Sequence, residues 1–177
     1  MLRGGSTPFR RSALIEIAPA TPADLPAVQA LARRIWHAHY PGIISVDQIE
    51  YMLARGYATA ELARFLGTPG AGLALARDAE PVGFAAWYRS PEPATTKLDK
   101  LYVAIEQHGR GVGRRLLDHV EDAARSDGSG TLILNVAKRN EASIAFYRRC
   151  GFSRRNEVVI DIGGGFVMDD YVMAKPL

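Results

Sequence analysis

The stretch of sequence that decides the fold is a glycine-rich loop, Gln107-His108-Gly109-Arg110-Gly111-Val112-Gly113. It follows a strand-like run, Leu98 to Val103, and precedes a run with helical spacing, Val112 to Ala124. Glycine at alternate positions frees the backbone from Cβ clashes, so successive N–H groups can turn toward one point. A helix that begins here adds unpaired N–H groups and the positive end of its dipole. The loop therefore predicts a binding site for phosphate groups.

Two familiar phosphate-binding motifs do not fit this loop. The dinucleotide motif G-x-G-x-x-G needs a third glycine, and counting from Gly109 or from Gly111 that position holds Arg114 or Leu116. The loop also follows a fourth predicted strand instead of opening a β-α-β unit. The Walker motif needs Gly-Lys-Ser or Gly-Lys-Thr, and neither occurs in the chain.

Length and composition favour a single globular domain. The net charge of the 177 residues is +3, which favours acidic ligands without the basic patch of a nucleic-acid binder. No apolar stretch approaches the ~20 residues of a membrane span, so we expect no membrane association and a cytoplasmic location. Residues 1–12 carry arginines and a Gly-Gly pair without a following apolar segment. We expect a disordered leader there and the folded domain over 13–177.

Cysteine and histidine are too few for a metal site or a disulfide. Cys150 is the single cysteine, and His37 and His39 stand apart from the other histidines. We therefore expect no metal. Cys150 is expected to pack on a helix face, because no base near it is identifiable that would activate the thiol.

The remaining patterns predict a mixed α/β sheet with helices on both faces, in the order β-α-α-α-β-β-β-α-β-α-β-β. Thr21 and Ser45 suit the N-caps of two helices, the second with Gln48 as its capping-box partner. Thr131 to Val136 is a continuous apolar strand, which suits a sheet covered on both faces. Gly163-Gly164-Gly165 separates two closing antiparallel strands.

Two separated motifs resemble those of the GNAT superfamily of N-acetyltransferases. The glycine-rich loop matches the superfamily's Q-x-x-G-x-G pyrophosphate loop. One strand and one helix later, the run from Asn140 to Phe152 is similar to its N-x-x-A-x-x-F-Y-x-x-x-G-F segment. The resemblance implies a mostly antiparallel central sheet, splayed between its fourth and fifth strands, with acetyl-coenzyme A bound in the gap.

The resemblance also implies which residues bind acetyl-coenzyme A. The pantetheine arm pairs with strand backbone, and the residues expected to do this are Leu101, Tyr102 and Val103. The pyrophosphate would lie on Gln107, His108, Gly109, Arg110, Gly111, Val112 and Gly113. Arg110 and Arg114 would add charge-assisted bonds to phosphate, or else are solvated charge at a helix start.

Two asparagines are further candidates for the cofactor site. Asn140 suits a plain N-cap, worth ~1 kcal/mol, and the resemblance adds a side-chain contact to coenzyme A. Asn135 is polar within an apolar strand and needs a partner there, for which cofactor and substrate are both candidates.

The reaction implied by the resemblance is direct attack of an amine on the thioester. Tyr147 would be the general acid that protonates the departing thiolate, and a core aromatic with a satisfied hydroxyl is the alternative. A backbone N–H at a bulge of the fourth strand, near Val103, would stabilise the oxyanion. The base that deprotonates the amine stays open among four candidates, Glu106, Asp99, His39 and Tyr88. Glu106 is favoured because it follows the end of the strand.

The acceptor, a small-molecule or peptide amine, is expected near the first helices and the sheet hairpins. Its aromatic wall is predicted from Trp36, Tyr40, Trp87 and Tyr88, with His39 as a further substrate-binding residue. The alternative for Trp36 and Trp87 is a place in the core. Glu50, Asp169 or Asp170 would attract a cation. The segment Tyr40-Pro41-Gly42-Ile43-Ile44 bears a faint similarity to bacterial polyamine-type acetyltransferases, which assigns no substrate.

A coenzyme A-binding regulator without turnover is the alternative function, against which Tyr147 and the complete glycine-rich loop both count. A homodimer is a hypothesis that rests on the two C-terminal strands, Val158 to Ile162 and Phe166 to Met173. Their edges are suited to pairing across a two-fold axis.

Overall fold

The computed structural model describes residues 15–177, so the leader expected over 1–12 lies outside the described residues. The strands are β1 (Glu16–Pro19), β2 (Gly72–Asp78), β3 (Glu80–Arg89), β4 (Thr95–Val103), β5 (Thr131–Ala137), β6 (Ser153–Gly163) and β7 (Phe166–Pro176). The helices are α1 (Leu25–His39), α2 (Val46–Gly56), α3 (Thr59–Ala63), α4 (Val112–Ser126) and α5 (Glu141–Arg149). Short 3₁₀ turns precede α1 at Pro22–Asp24 and follow β4 at Ile105–Gln107.

One seven-stranded sheet forms the centre, in the order β1-β2-β3-β4-β5-β7-β6. Every neighbouring pair is antiparallel except β4 and β5, which run parallel. The parallel pairing stops at Leu98 and Leu134. Beyond it β4 stays paired with β3 as far as Val103, and β5 stays paired with β7 as far as Ala137. The predicted mixed sheet, splayed between its fourth and fifth strands, is confirmed.

Helices cover both faces of the sheet. On one face α4 packs on β2, β3 and β4, with Leu116 and Val120 of α4 fully buried in a core that Ile144 and Tyr147 of α5 share. On the other face α1, α2 and α3 pack on β2 and β3, where Val28, Ile49 and Leu62 are fully buried. Within 15–177, none of the helices has the length and apolar character needed to cross a bilayer.

The start of α2 ties that helix to the C-terminal hairpin. The Ser45 hydroxyl accepts a hydrogen bond from the Gln48 amide at 3.1 Å, which confirms the N-cap. The Gln48 side chain does not complete the predicted capping box. It donates instead to the carbonyl of Val167 on β7 at 3.0 Å, because the hairpin brings that carbonyl within reach. The Tyr51 hydroxyl donates to the carbonyl of Ile162 at 2.7 Å and adds a second tie.

Trp87 and Tyr88 of β3 lie away from the end of the sheet where β4 and β5 part. The Trp87 ring is buried in the core under α4, over its register partner Gly72 and 5.8 Å from the His119 ring. Tyr88 lies beside Phe65, with ring centroids 6.5 Å apart. A glycine on β2 leaves the space that the Trp87 ring fills, and neither Trp87 nor Tyr88 lines the cavity between β4 and β5.

We predict that Gly72→Ala destabilises the fold by about 1–3 kcal/mol, because the added methyl group overlaps the Trp87 ring and the packing must shift. The measurement is urea unfolding. The control is Gly130→Ala, where a Cβ meets nothing within 4 Å and the free energy of unfolding should hold within ~0.5 kcal/mol. Equal midpoints for the two variants would contradict the account of Trp87.

Candidate active site

The gap between β4 and β5 opens into a cavity of about 770 Å³. Its walls come from the end of α1, the start of α2, the parted ends of β4 and β5, β7 and the start of α5. Of the sequence-predicted residues, it brings together Trp36, His39, Tyr40, Leu101, Tyr102, Val103, Glu106, His108, Asn135, Asn140 and Tyr147. Within residues 15–177 there is no group of three or more His, Cys, Asp or Glu that could hold a metal ion.

A β-bulge lies where the two strands part. Lys100 pairs with Ala86 and Leu98 pairs with Trp87, so Asp99 is left without a partner on β3. The bulge expected near Val103 is thus found at Asp99, while Val103 pairs regularly with Gly83. The displacement has a physical reason, since β4 must bend away from β5 at the point where their shared ladder ends.

The glycine-rich loop forms the start of α4. Gly109 and Gly111 have φ of +75° and +77°, the left-handed region that favours glycine, and a Cβ at either position would meet nothing within 4 Å. Gly111 is the N-cap residue of α4, so the next amides are the unpaired N–H groups of a helix start. A Cβ at Gly113 would make ordinary van der Waals contact with the Phe146 ring at 3.5 Å.

The polar side chains of the loop are paired within the protein. Arg110 donates to the side-chain oxygen of Gln107 and lies 3.5 Å from an Asp78 oxygen. Arg114 donates to Asp118 at 2.7 Å. The His108 ring turns back and donates to the carbonyl of Val103 at 3.0 Å. This end of the site thus offers an anion two kinds of donor. They are the N–H groups of the loop and helix start and the guanidinium groups of Arg110 and Arg114.

Tyr147 of α5 lies in the cavity wall. Its ring packs against Phe146 and Phe152, with centroid distances of 5.3 and 5.6 Å. Its hydroxyl makes no hydrogen bond to another residue in 15–177. Burial raises the pKa of Tyr147 above the ordinary 10.0, and the nearby Tyr40 and Cys150 raise it further. The hydroxyl therefore keeps its proton at neutral pH. Cys150 itself is buried in the adjoining core.

Aromatic side chains form one wall of the cavity. The Trp36 and Tyr40 rings lie 4.5 Å apart, and the hydroxyls of Tyr40 and Tyr102 share a hydrogen bond of 3.1 Å. The Trp36 indole N–H donates to the Tyr57 hydroxyl at 3.0 Å. Burial raises the pKa values of Tyr57 and Tyr102 well above the ordinary value. The sequence gives no signal for Tyr57, since it lies in the turn after α2.

His39 and Asn140 meet across the cavity. The His39 Nε2 atom lies 3.2 Å from the Asn140 Oδ1 atom, which also accepts the Ser143 amide at 3.2 Å and so caps α5. The N-cap prediction for Asn140 is confirmed. The same oxygen thus fixes the start of α5 and anchors the last turn of α1.

Carboxylates around the cavity differ in their pairing. Glu106, with 59% of its side chain exposed, lies 3.0 Å from Arg34. Asp99 pairs with Lys100 at 2.5 Å, and Asp169 pairs with Lys138 at 2.6 Å. Glu50 pairs with Arg33 and His37 on the far side of α1, at 2.8 and 2.7 Å. These four carboxylates all have a basic partner.

Asp170 is the exception among the carboxylates that line the cavity. Only 2% of the residue is exposed, and its Oδ2 atom is buried without a hydrogen-bond partner among the described residues. Burial raises the pKa of this carboxyl, opposed by a hydrogen bond from Asn135 and by the charge of Lys97. Asn135 and Asp170 both line the cavity.

A sheet that parts between two parallel strands, beside a glycine-rich helix start, defines the acyltransferase class that the two motifs resemble. The family profile described as "Acetyltransferase (GNAT) family" matches residues 30–152. The chain belongs to this family, and the identification made from the motifs is confirmed.

Solved and curated relatives agree with this assignment. A crystal structure of PaiA N-acetyltransferase from Thermoplasma acidophilum in complex with coenzyme A is 25% identical, with a TM-score of 0.78 over 93% of this chain and 99% of that one. An aminoglycoside N(6')-acetyltransferase type 1 from Stenotrophomonas maltophilia is 31% identical over 81% of this chain and 89% of its own length. Streptothricin acetyltransferase of Streptomyces lavendulae is 37% identical over 46% of this chain and 43% of its own. The chain spans about half or less of the length of this and other curated relatives it matches.

We predict that Asn140→Ala lowers the free energy of unfolding by about 2 kcal/mol. About half of this comes from the lost N-cap hydrogen bond and about half from the lost hydrogen bond to His39. Urea unfolding measures the change. Ser45→Ala, which removes a single capping bond, should cost about 1 kcal/mol, and Asn140→Asp should keep most of the stability because it keeps the acceptor. A loss no larger than that of Ser45→Ala would show that the His39 contact contributes nothing.

Proposed function

We propose that this protein is an acetyl-coenzyme A-dependent N-acetyltransferase that transfers the acetyl group to a primary amine of a small molecule or peptide by direct attack. The observation that carries the proposal is the parting of β4 and β5 beside the glycine-rich loop, with the Tyr147 hydroxyl in the wall of the resulting cavity. Coenzyme A in the PaiA crystal structure and the names of two relatives, a streptothricin acetyltransferase and an aminoglycoside N(6')-acetyltransferase, support it.

The residues present fit acetyl-coenzyme A. Beyond Leu98, the edge of β4 that faces β5 carries no strand pairing, so Leu101 to Val103 can bind the amides of the pantetheine arm as an added strand would. The amides from Gly109 to Gly113 suit a pyrophosphate at a helix start. Room exists there, since Cβ atoms at Gly109 and Gly111 would meet nothing within 4 Å. Arg110 and Arg114 would exchange their present partners for phosphate oxygens.

The remaining chemistry falls to side chains and backbone of this chain. Acetyl-coenzyme A supplies the thioester; Tyr147 gives its proton to the departing thiolate as general acid. The bulge at Asp99 is where we place a backbone donor for the oxyanion. Glu106, on the cavity rim and paired with Arg34, is our candidate for the base that takes the proton of the amine through water.

We predict that Tyr147→Phe lowers kcat by about 100-fold or more, since a positioned general acid contributes on this scale. The affinity for acetyl-coenzyme A should change far less. An amine panel read by thiol release measures turnover, and calorimetry measures binding. Because the pKa of Tyr147 is raised above 10.0, the wild-type rate should show no alkaline loss from this group below that pH. Tyr51→Phe is the control, because its hydroxyl bonds Ile162 outside the cavity. Unchanged turnover in Tyr147→Phe would overturn the general-acid assignment.

We predict that Gly111→Glu weakens acetyl-coenzyme A binding by at least about tenfold, or about 1.4 kcal/mol, because a carboxylate would stand where the loop receives phosphate. The control is Gly128→Glu, at the other end of α4. It shares the positive φ, +82° against +77°, and the open surroundings, so it carries the same backbone strain.

Calorimetric titration separates the outcomes of this experiment. Binding without turnover of any amine would favour the coenzyme A-binding regulator. Absence of binding in the wild type would overturn both functions. Equal loss in the Gly128 variant would mean that strain in α4, and not the phosphate site, causes the effect.

A further inference from the structure

Asp170 is buried at the acceptor side of the cavity. It lies on β7 opposite Ala137, and these two residues form the last pair of the ladder between β5 and β7. Asn135, two residues before Ala137 on β5, is near enough to oppose the rise in the pKa of this carboxyl. The Oδ2 atom has no hydrogen-bond partner in the part of the chain that the structure describes. Asp170 is among the residues that line the cavity, so a ligand bound there can approach this carboxyl.

The charged and titratable groups around Asp170 leave this oxygen unpaired. Lys97 from β4 and Lys138 after β5 favour the ionised carboxyl, while Asp169 next to it on β7 disfavours it. Lys138 is already bound by Asp169 and Glu157. The Tyr40 hydroxyl, at the end of α1, bonds Tyr102. None of these groups makes a hydrogen bond to Oδ2.

A carboxylate buried in this way is unfavourable for the free protein. Buried carboxylates are normally paired and hydrogen-bonded on both oxygens. A buried oxygen that has lost its hydration and gained no hydrogen bond destabilises the folded protein. A group of this kind persists at sites where a ligand supplies the missing donor. A cation gains most from an anion in a poorly hydrated cavity, since the interaction strengthens as the effective dielectric constant falls.

We propose that Asp170 binds an ammonium group of the acceptor through Oδ2, and that the acceptor is a compound with at least two amino groups. The inference rests on the proposed N-acetyltransferase function. The nitrogen that attacks a thioester must be neutral, whereas the partner of Asp170 is a full cation, so the two roles fall to different nitrogens. The aromatic wall of Trp36 and Tyr40 suits such a cation, because ring faces attract it. Asp170 takes no part in proton transfer and acts as a specificity-determining residue.

The test compares Asp170→Asn with the wild type on α,ω-diamines of two to six carbons and on monoamines of the same length, by thiol release. We expect the wild type to show a KM for its best diamine at least about tenfold below that of the matched monoamine, and Asp170→Asn to remove most of this preference. The KM for monoamines and the Kd for acetyl-coenzyme A should stay within about twofold. No diamine preference in the wild type would overturn the inference while leaving the proposed function standing.

The matched control is Glu157→Gln, which removes the same charge from an exposed carboxylate that also binds Lys138 but does not line the cavity. It should leave the diamine preference within about twofold. An equal loss in both variants would mean that the general negative potential, and not a bond to Asp170, selects the diamine, and would overturn the inference.

Thermal unfolding supplies a readout that does not depend on turnover. Replacing an orphaned buried carboxylate by a neutral amide should raise the Tm of Asp170→Asn by about 2–4 °C, and diamines should raise the Tm of the wild type but not that of the variant. A lower Tm in Asp170→Asn, with no change in the effect of diamines, would assign Asp170 a structural role. If no amine is acetylated, the proposed function fails, and the shift of Tm by diamines still decides the inference.

Discussion

The whole site depends on the short ladder between β4 and β5. The two strands pair over four residues, from Thr95 to Leu98 on β4, and then diverge. Each strand stays bonded to its outer neighbour, so the hydrogen bonds of the sheet itself hold the ends of β4 and β5 apart. The bulge at Asp99 gives β4 the bend that this divergence requires. Neighbouring strands in a sheet normally leave no cavity between them, because buried backbone N–H and C=O groups need hydrogen-bond partners.

The cavity has one end set by local sequence and another set by contacts between distant segments. The phosphate end is a loop and a helix start that are adjacent in the chain. The acceptor end is joined by the Gln48 bond to Val167 and by Arg139, which donates to the carbonyls of Gly42 and Ile43. These bonds fix α2, the loop before it and the C-terminal hairpin around the same space.

This difference explains what could be predicted from the sequence. The element order, the left-handed glycines and the N-caps at Ser45 and Asn140 depend on neighbours a few residues away, and they are confirmed. The place of Trp87 depends on Gly72, which becomes its neighbour only through the β2–β3 register. Tyr57 enters the wall through a bond to Trp36, from a turn that has no periodic pattern. Spacing along the chain carries no information on such pairs.

Burial has different consequences for Tyr147 and for Asp170. It raises the pKa of Tyr147, which makes the neutral, proton-bearing form the stable one and requires nothing from a ligand. It also raises the pKa of Asp170, but there it weakens the ionised form that Lys97 and Lys138 favour, and leaves one oxygen without a donor. Loss of water therefore keeps one side chain in its proton-bearing form and makes the other depend on a donor from outside the chain. The same loss of water strengthens the attraction between the Asp170 carboxylate and a cation at the acceptor end.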